Sequence, residues 1–182
     1  KIVQKETAIV DVSFGSLQVS LFDKDTLAST QNMYLGALRI RSMLSRVSPE
    51  GIVKNRLVEE LVDNDLLTFK KLYLKDREIK NLICTGECIM FMLKGAKKEL
   101  GNNTLTSQEF MKFYDRLLTM PMEKMEETFG ISTYLASLMI PSAMIYKRML
   151  EITGAELIWV PGVRLCDGIA AEYVQDNRII KQ

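Results

Sequence analysis

The sequence predicts an α/β fold, a single domain with a mixed five-stranded sheet that begins with an antiparallel meander and carries helices on both faces. Three observations predict it. Residues 7–35 alternate short β-branched runs with polar turns. Most of the remaining chain has the apolar spacing of amphipathic helices. Two further short apolar runs, 81–86 and 156–160, stand between those helices, where strands reached through helical crossovers are expected.

Length, composition and charge indicate an ordinary folded domain. The chain has 182 residues, of which 47% are hydrophobic and 26% charged, enough to bury a core. A net charge of +1 shows no general attraction to nucleic acid or to acidic lipid. No apolar run approaches the roughly 20 residues that span a bilayer, and no signal peptide is predicted at 1–6. We therefore expect neither nucleic acid nor a membrane as a partner.

The residues that are scarce limit the chemistry. Three cysteines, Cys84, Cys88 and Cys166, lack the spacing of a disulfide framework and fit a reducing cytoplasm. Cys84 and Cys88 have no second pair and no histidine to complete a zinc site, so we expect them to be buried thiols. The absence of histidine excludes Ser-His-Asp and Cys-His catalysis within this chain. Hydrolytic chemistry would depend on carboxylates, backbone amides and a hard cation such as Mg²⁺.

Three consecutive strands are predicted at the start. The nearly all-apolar run 8–12 suits a central strand, and the run 19–22 lies on the returning strand. The polar turn between them is Ser13–Ser16. A second turn at 23–25 precedes a third strand that extends to residue 35.

Helices and two strands are predicted for the rest of the chain. The first helix starts at Ala37, and Ser48 caps a second, with Pro49 in its first turn, that extends to about Asn64. Pro141 is expected at a break or restart of a long apolar helix. After residue 64, the sequence predicts a basic helix end and loop to 80, a loop over 101–104 and a polar tail over 176–182. Strands are predicted over 81–86 and 156–160. Helices are predicted over 87–100, 106–118 (with a capping box), 121–130, 134–152 and 163–174. This order is that of the ribonuclease H-like, or actin-like ATPase, lobe.

An acidic strand end and a small turn form the first candidate site. Asp11 ends the first strand, and Ser13, Phe14, Gly15 and Ser16 make the turn, in which the glycine is expected to allow an unusual backbone angle. Backbone N–H groups of a tight turn can point at anionic oxygens while the carboxylate holds Mg²⁺ directly or through water. The alternative is an ordinary hairpin turn, and these residues alone favour it because such turns are common.

Two further turns follow predicted strands. Gly86 lies where a nucleotide or phosphate would meet a helix start, but Glu87 would repel an anion there. A simple strand-to-helix turn, in which Glu87 interacts favourably with the helix dipole, is therefore favoured. The segment Pro161–Gly168, with Arg164 and Asp167, forms either one wall of a cleft or a packed turn, and the two interpretations are about even.

These motifs, in this order, resemble those of the C-terminal lobe of the exopolyphosphatase/guanosine-pentaphosphate phosphatase (Ppx/GppA) family, in the two-lobed sugar kinase–Hsp70–actin superfamily. Val10–Ser16 is similar to the family's Asp-Ile-Gly-Gly-Gly-Ser loop, and Tyr34–Ile40 to its Leu-Gly-Ala-Val-Arg-Leu. Thr85-Gly86 matches the start of its Thr-Gly-Gly turn, and Gly162–Gly168 is similar to its Gly-Leu-Arg-Glu-Gly with one extra residue. The resemblance covers nearly the whole chain.

The resemblance implies a phosphoanhydride hydrolase that removes terminal phosphate from polyphosphate or pppGpp with Mg²⁺ in the bacterial cytoplasm. Residues 1–182 would be the C-terminal lobe, inactive alone and without a catalytic residue, because the family's catalytic glutamate comes from the N-terminal lobe. Asp11 would associate with Mg²⁺, while Ser13–Ser16 and Gly86 would bind phosphate. Arg39 matches the family's arginine without an assigned role. The implied partner is polyphosphate or a guanosine polyphosphate, and a homodimer is left open.

This sequence also departs from the family pattern. Ser13 and Phe14 replace the first two loop glycines, so a Cβ limits how closely the backbone approaches phosphate, and the phenyl ring could cover the site. Gln18 stands where many relatives carry glutamate, and Glu87 replaces the second glycine of the Thr-Gly-Gly turn. The second hypothesis is therefore a divergent, non-catalytic domain that binds a nucleotide, phosphate or a partner. A filament or scaffold protein of the actin-like class is a third.

Overall fold

A mixed β-sheet lies at the centre of this computed structural model, which describes residues 6–23, 26–46, 51–75, 77–96, 103–163 and 165–179. Six strands are described: β1 (Thr7–Val12), β2 (Leu17–Asp23), β3 (Thr26–Met33), β4 (Asn81–Thr85), β5 (Thr104–Thr106) and β6 (Leu157–Trp159). Their order across the sheet is β3-β2-β1-β4-β6-β5. β1, β4 and β6 are parallel to one another, and β2, β3 and β5 pair antiparallel to their neighbours. The predicted α/β class, with an antiparallel meander first, is confirmed.

The strand count differs from the prediction because β5 forms a sixth strand at the edge of the sheet. Thr104 pairs with Trp159 and Leu105 with Ile158, and the Leu105 side chain is fully buried. The sequence predicts a loop over 101–104, whereas Thr104 lies in β5. A strand of three residues is too short to show a period of two, so its pairing depends on β6 lying beside it.

Seven helices are described around the sheet. They are α1 (Ala37–Arg46), α2 (Gly51–Tyr73), α3 (Glu87–Ala96), α4 (Ser107–Leu118), α5 (Met122–Phe129), α6 (Thr133–Thr153) and α7 (Leu165–Ile179). Two are longer than predicted: α2 continues past Asn64 because Leu66 and Phe69 extend its buried stripe, and α7 extends into the predicted tail. The described side chains of α7, at 166–175, are all exposed. The predicted cap at Ser48–Pro49 and part of the turn at 23–25 lie outside the described residues.

The long helix α6 is continuous through Pro141, so the predicted break there is wrong. A proline inside a helix costs about 3 kcal/mol because its ring crowds the preceding turn and it donates no hydrogen bond. Here residues 141–146 are all buried, and α6 packs against each of the helices α1 to α5. The burial of this apolar surface offsets the local cost, which a single-sequence pattern does not include.

No helix in the described part of the chain is by itself long and apolar enough to cross a membrane. The pair α5 and α6 meets the length and composition required only when taken together, across a bend of 100°.

The capping box predicted at the start of α4 is confirmed and can be tested. The Thr106 hydroxyl accepts from the Glu109 amide at 3.2 Å, and the Glu109 carboxylate accepts from the Thr106 amide at 2.7 Å. We expect Thr106→Ala to lower the free energy of unfolding by about 1 kcal/mol. Thr128→Ala, at an exposed position inside α5, is the control and should leave stability within about 0.5 kcal/mol. Equal urea midpoints for the two variants would contradict a stabilising cap.

Candidate functional site

The carboxyl ends of the three parallel strands lie at one edge of the sheet and bring two of the predicted motifs together. Asp11 at the end of β1 pairs in register with Thr85 at the end of β4. The Thr85 hydroxyl donates to Asp11 Oδ1 at 2.6 Å. In open α/β sheets, ligands bind at this edge. Asp11 is therefore held in one orientation at the place where a ligand is expected.

The turn between β1 and β2 is held by α1 through its carbonyl oxygens. The Ser13 and Phe14 carbonyls accept from the amides of Ala37 and Leu38 at 3.1 and 2.9 Å. Across the turn, the Ser13 amide and hydroxyl donate to the Ser16 carbonyl at 3.0 and 3.1 Å. Within the described residues, nothing accepts from the amides of Phe14, Gly15 or Ser16. Backbone amides of this kind can bind an anion.

Two glycines at this turn have different roles. A Cβ on Gly36 would lie 2.1 Å from the Phe14 carbonyl oxygen, so only glycine lets α1 begin this close to the turn. Gly15 behaves differently from the prediction. It is absent from the positive-φ glycines of the described residues, and a Cβ on it would meet nothing within 4 Å. Gly15 therefore provides open space beside the turn, and the unusual backbone angle expected there is wrong.

Gly86 provides the left-handed backbone that the turn after β4 requires. Its φ is +126°, and a Cβ there would lie 2.3 Å from the Val12 carbonyl oxygen and 3.0 Å from the Tyr146 hydroxyl. Tyr146 of α6 donates its hydroxyl to the Thr85 carbonyl at 2.6 Å. Burial raises the pKa of Tyr146 well above its usual value, so this hydroxyl remains a donor. The turn is thereby fixed against the end of β1.

Phe14 is anchored by α6 and the hydrophobic core. Its ring meets that of Tyr134 edge to face, with the centroids 6.0 Å apart, and packs against the hydrophobic core. Arg41 stabilises this contact, because its guanidinium lies 5.1 Å from the Tyr134 ring centroid and donates to the Ser137 hydroxyl. The ring is thus held in place by α6.

The remaining residues singled out in the sequence have different positions. Gln18 is exposed and pairs with Asp11 across β1 and β2, and Glu87 is exposed at the first position of α3. Gly162 has a φ of +76° and lies against Met90 of α3, so the turn after β6 packs beside the same edge. Arg39 lies with its guanidinium 5.6 Å from the Tyr34 ring centroid. Arg164 lies outside the described residues.

The site contains too few carboxylates to hold a metal ion unaided. Among the described residues, no group of three Asp, Glu, Cys or His side chains could bind a metal. Asp11 contributes one carboxylate, one oxygen of which already accepts from Thr85. Mg²⁺ usually takes one or two carboxylates and completes its shell with water and phosphate oxygens. The residues therefore fit Mg²⁺ only when a phosphate ligand shares it.

The two thiols nearest the site are inert. Cys84 and Cys88 are buried, as predicted, while Cys166 is exposed. Burial raises the pKa of Cys88 to about 11 and that of Cys84 still further above its ordinary value. At neutral pH both remain protonated, so neither is a nucleophile.

Comparison with known proteins shows a likeness of fold. No protein-family model and no curated protein matches this sequence. A Ppx/GppA family member from Aquifex aeolicus matches the structure with a TM-score of 0.79 and 15% identity, over 96% of this chain and 57% of that one. An exopolyphosphatase from Cytophaga hutchinsonii matches with a TM-score of 0.74 and 13% identity, over 87% of this chain and 54% of that one. This chain therefore has the fold of one part of these structures and spans little more than half of their length.

The contact at Gly36 yields a direct test of how the turn is held. We expect Gly36→Ala to lower the free energy of unfolding by about 3 kcal/mol or more, because its Cβ would overlap a backbone oxygen that cannot move without the turn. Gly15→Ala is the matched control in the same turn, because a Cβ there meets nothing within 4 Å, and it should change stability by less than about 0.5 kcal/mol. Urea denaturation measures both. A Gly36→Ala variant as stable as the control would contradict the close approach.

Proposed function

We propose that this chain is the C-terminal, phosphate-binding lobe of a cytoplasmic Ppx/GppA-like phosphohydrolase that removes terminal phosphate from inorganic polyphosphate or guanosine pentaphosphate with Mg²⁺. One observation carries the proposal. The Asp11 carboxylate, oriented by Thr85 at 2.6 Å, lies at the strand edge just before a turn in which the amides of Phe14, Gly15 and Ser16 have no acceptor among the described residues. A carboxylate and unbound amides are complementary to a phosphate chain that carries a divalent cation.

The roles follow from the charges. Asp11 would hold Mg²⁺ with the carboxylate oxygen that does not accept from Thr85, and the cation would neutralise part of the phosphate charge. The amides of Gly15 and Ser16 would donate to oxygens of the phosphate chain, and the open space at Gly15 admits such a ligand. The Gly86 turn, fixed by Tyr146, keeps Thr85 in place. This lobe would therefore bind and orient phosphate.

The attack on phosphorus requires a further group. The resemblance to the family implies that the glutamate that activates water belongs to an N-terminal lobe. The matched structures support a two-lobed arrangement, since this chain covers only 53–57% of their length. On this proposal, the lobe alone binds phosphate and does not hydrolyse it.

The proposal predicts a specific loss of activity. We expect the full-length protein to release phosphate from polyphosphate or pppGpp with Mg²⁺ and to stop when the metal is chelated. Asp11→Asn should lower kcat/KM at least about 100-fold, because it removes the carboxylate that would hold the metal. Thr85→Val should lower it about tenfold, because side chains that orient a metal ligand have effects of roughly this size. Asp115→Asn, an exposed change on α4, is the control and should match the wild type. No turnover of either substrate by the wild type would count against the proposal.

A second candidate, a non-catalytic domain that binds phosphate, a nucleotide or a partner, is favoured by the chemistry of the turn itself. The Ser13 hydroxyl is bound to the Ser16 carbonyl, and Phe14 is anchored on Tyr134, so both side chains are part of the packed turn. Glu87 adds a negative charge at the start of α3, beside the Gly86 turn. These features oppose close approach of an anion and would weaken phosphate binding.

This candidate predicts that glycine at the first turn position strengthens binding. We expect Ser13→Gly to raise the affinity for tripolyphosphate about tenfold in calorimetry, because the backbone gains access to the phosphate oxygens. Phe14→Gly should raise it further but also lower stability through the lost ring contact. Tyr134→Ala removes that contact without altering the turn and separates the two effects. Unchanged affinity in Ser13→Gly would refute this explanation.

A further inference from the structure

A pocket lies between α3, the end of α4 and the end of α5. Its volume is about 330 Å³. Apolar surface comes from Phe91, Met120 and Phe129, which are all partly buried. The charged residues that line it are Lys94 and Arg116, both exposed, and none of the described lining residues is acidic. This α3–α5 pocket therefore combines apolar surface with charge of one sign, which is positive.

The aromatic side of the pocket is built on Gly95 of α3. A Cβ on this residue would lie 2.4 Å from the nearest atom of the Phe129 ring and 2.7 Å from the nearest atom of the Phe113 ring. Because glycine has no Cβ, both rings can lie against the backbone of α3. The two rings meet edge to face with their centroids 6.2 Å apart, and Phe113 is buried. The aromatic surface is thus fixed by packing before any ligand arrives.

The two cations are positioned by the same helices. Within the described chain, Arg116 donates through Nη2 to the Gly95 carbonyl oxygen, and its guanidinium lies 5.4 Å from the Phe113 ring centroid. The Lys94 ammonium lies 5.7 Å from the Phe91 ring centroid. No described carboxylate forms an ion pair with either cation. An arginine has five N–H donors and a lysine three, so most of these donors are left for a ligand.

The pocket is separate from the Asp11 site. The first residue of α3, Glu87, follows the Gly86 turn, whereas the pocket lies at the other end of the helix, around Gly95. An α-helix rises about 1.5 Å per residue, so Gly95 lies about 12 Å along α3 from Glu87. A ligand in this pocket would therefore not be the phosphate that the Asp11 site would hold.

We propose that the α3–α5 pocket binds a small aromatic carboxylate. The ring of the ligand packs against Phe91, Met120 and Phe129, since aromatic edges and faces and the methionine thioether all make favourable contacts with a ring. The carboxylate lies between Lys94 and Arg116, where the planar guanidinium matches its two oxygens. An amine would be repelled by both cations, and an inorganic anion would leave the apolar surface uncovered. The inference does not depend on the proposed function.

The size of the pocket agrees with a ligand of one ring and a short acidic chain. Pockets that enclose drug-sized ligands measure roughly 300–1,000 Å³. A space of about 330 Å³ is at the lower end of that range. We therefore assign the pocket a free small molecule and not a segment of a partner protein.

Calorimetry on the full-length protein tests the chemistry with three probes. Cinnamate has the ring and the charge, cinnamamide has the same shape without the charge, and acetate has the charge without the ring. We expect cinnamate to bind about tenfold more tightly than cinnamamide, because exposed ion pairs are individually weak and two of them contribute. Acetate should bind at least about tenfold more weakly than cinnamate, because it buries little apolar surface.

Two lysine variants locate the charge contact. Lys94→Gln should lower the preference for cinnamate over cinnamamide to about threefold, because one of the two cations remains. Lys71→Gln, the same change at an exposed position on α2, is the matched control and should keep the tenfold preference. Both lysines are exposed, so both variants should have the urea midpoint of the wild type.

The methyl NMR spectrum of the methionine-labelled protein locates the ring. Cinnamate and cinnamamide should both shift the Met120 signal, which Met120→Leu identifies by its loss, since an aromatic ring bound in the pocket lies beside this side chain. The Met33 signal should stay in place, because β3 is at the opposite edge of the sheet from β5, against which α3 and α4 pack.

Each of these measurements can overturn the inference. Equal affinities for cinnamate and cinnamamide, an acetate affinity equal to that of cinnamate, or a Lys94→Gln variant that behaves as Lys71→Gln does would refute the site. A Met120 signal that cinnamate leaves unshifted would refute its location. Asp11→Asn should leave cinnamate binding unchanged, so a failure of this site and a failure of the proposed phosphate site are observed separately.

Discussion

The close contact between the β1–β2 turn and the start of α1 is the constraint on which the rest of the candidate site depends. The amides of Ala37 and Leu38 bind the turn's carbonyl oxygens at 3.1 and 2.9 Å, and Gly36 permits this approach because it has no Cβ. Since the Ser13, Phe14 and Ser16 carbonyls are engaged, the amides of Phe14, Gly15 and Ser16 are left for a ligand.

The parallel register of β1 and β4 provides the second half of the site. It places Thr85 beside Asp11, and the hydroxyl then orients the carboxylate at the strand edge. Tyr146 and Gly86 hold the turn that follows, so the orientation depends on α6 as well as on the sheet. A single carboxylate positioned in this way suits a cation that arrives with its phosphate ligand, and does not suit a permanent metal site.

The proposed function assigns this lobe the task of recognition. The turn would bind phosphate, and bond cleavage would need a group from elsewhere. Ser13 and Phe14, which depart from the glycines of the family's loop, are built into the packing through Ser16 and Tyr134. Changes of this kind preserve the fold while they alter the chemistry that it supports.

The sequence by itself determined the features that depend on local chemistry. It predicted the meander, the capping box at Thr106 and the position of Asp11 at a strand end, because alternation, capping and strand termini are properties of neighbouring residues. Only the tertiary structure decided the features that depend on distant segments. The pairing of β5 with β6, the continuity of α6 through Pro141 and the overlap that excludes a Cβ at Gly36 all require surfaces brought together by folding.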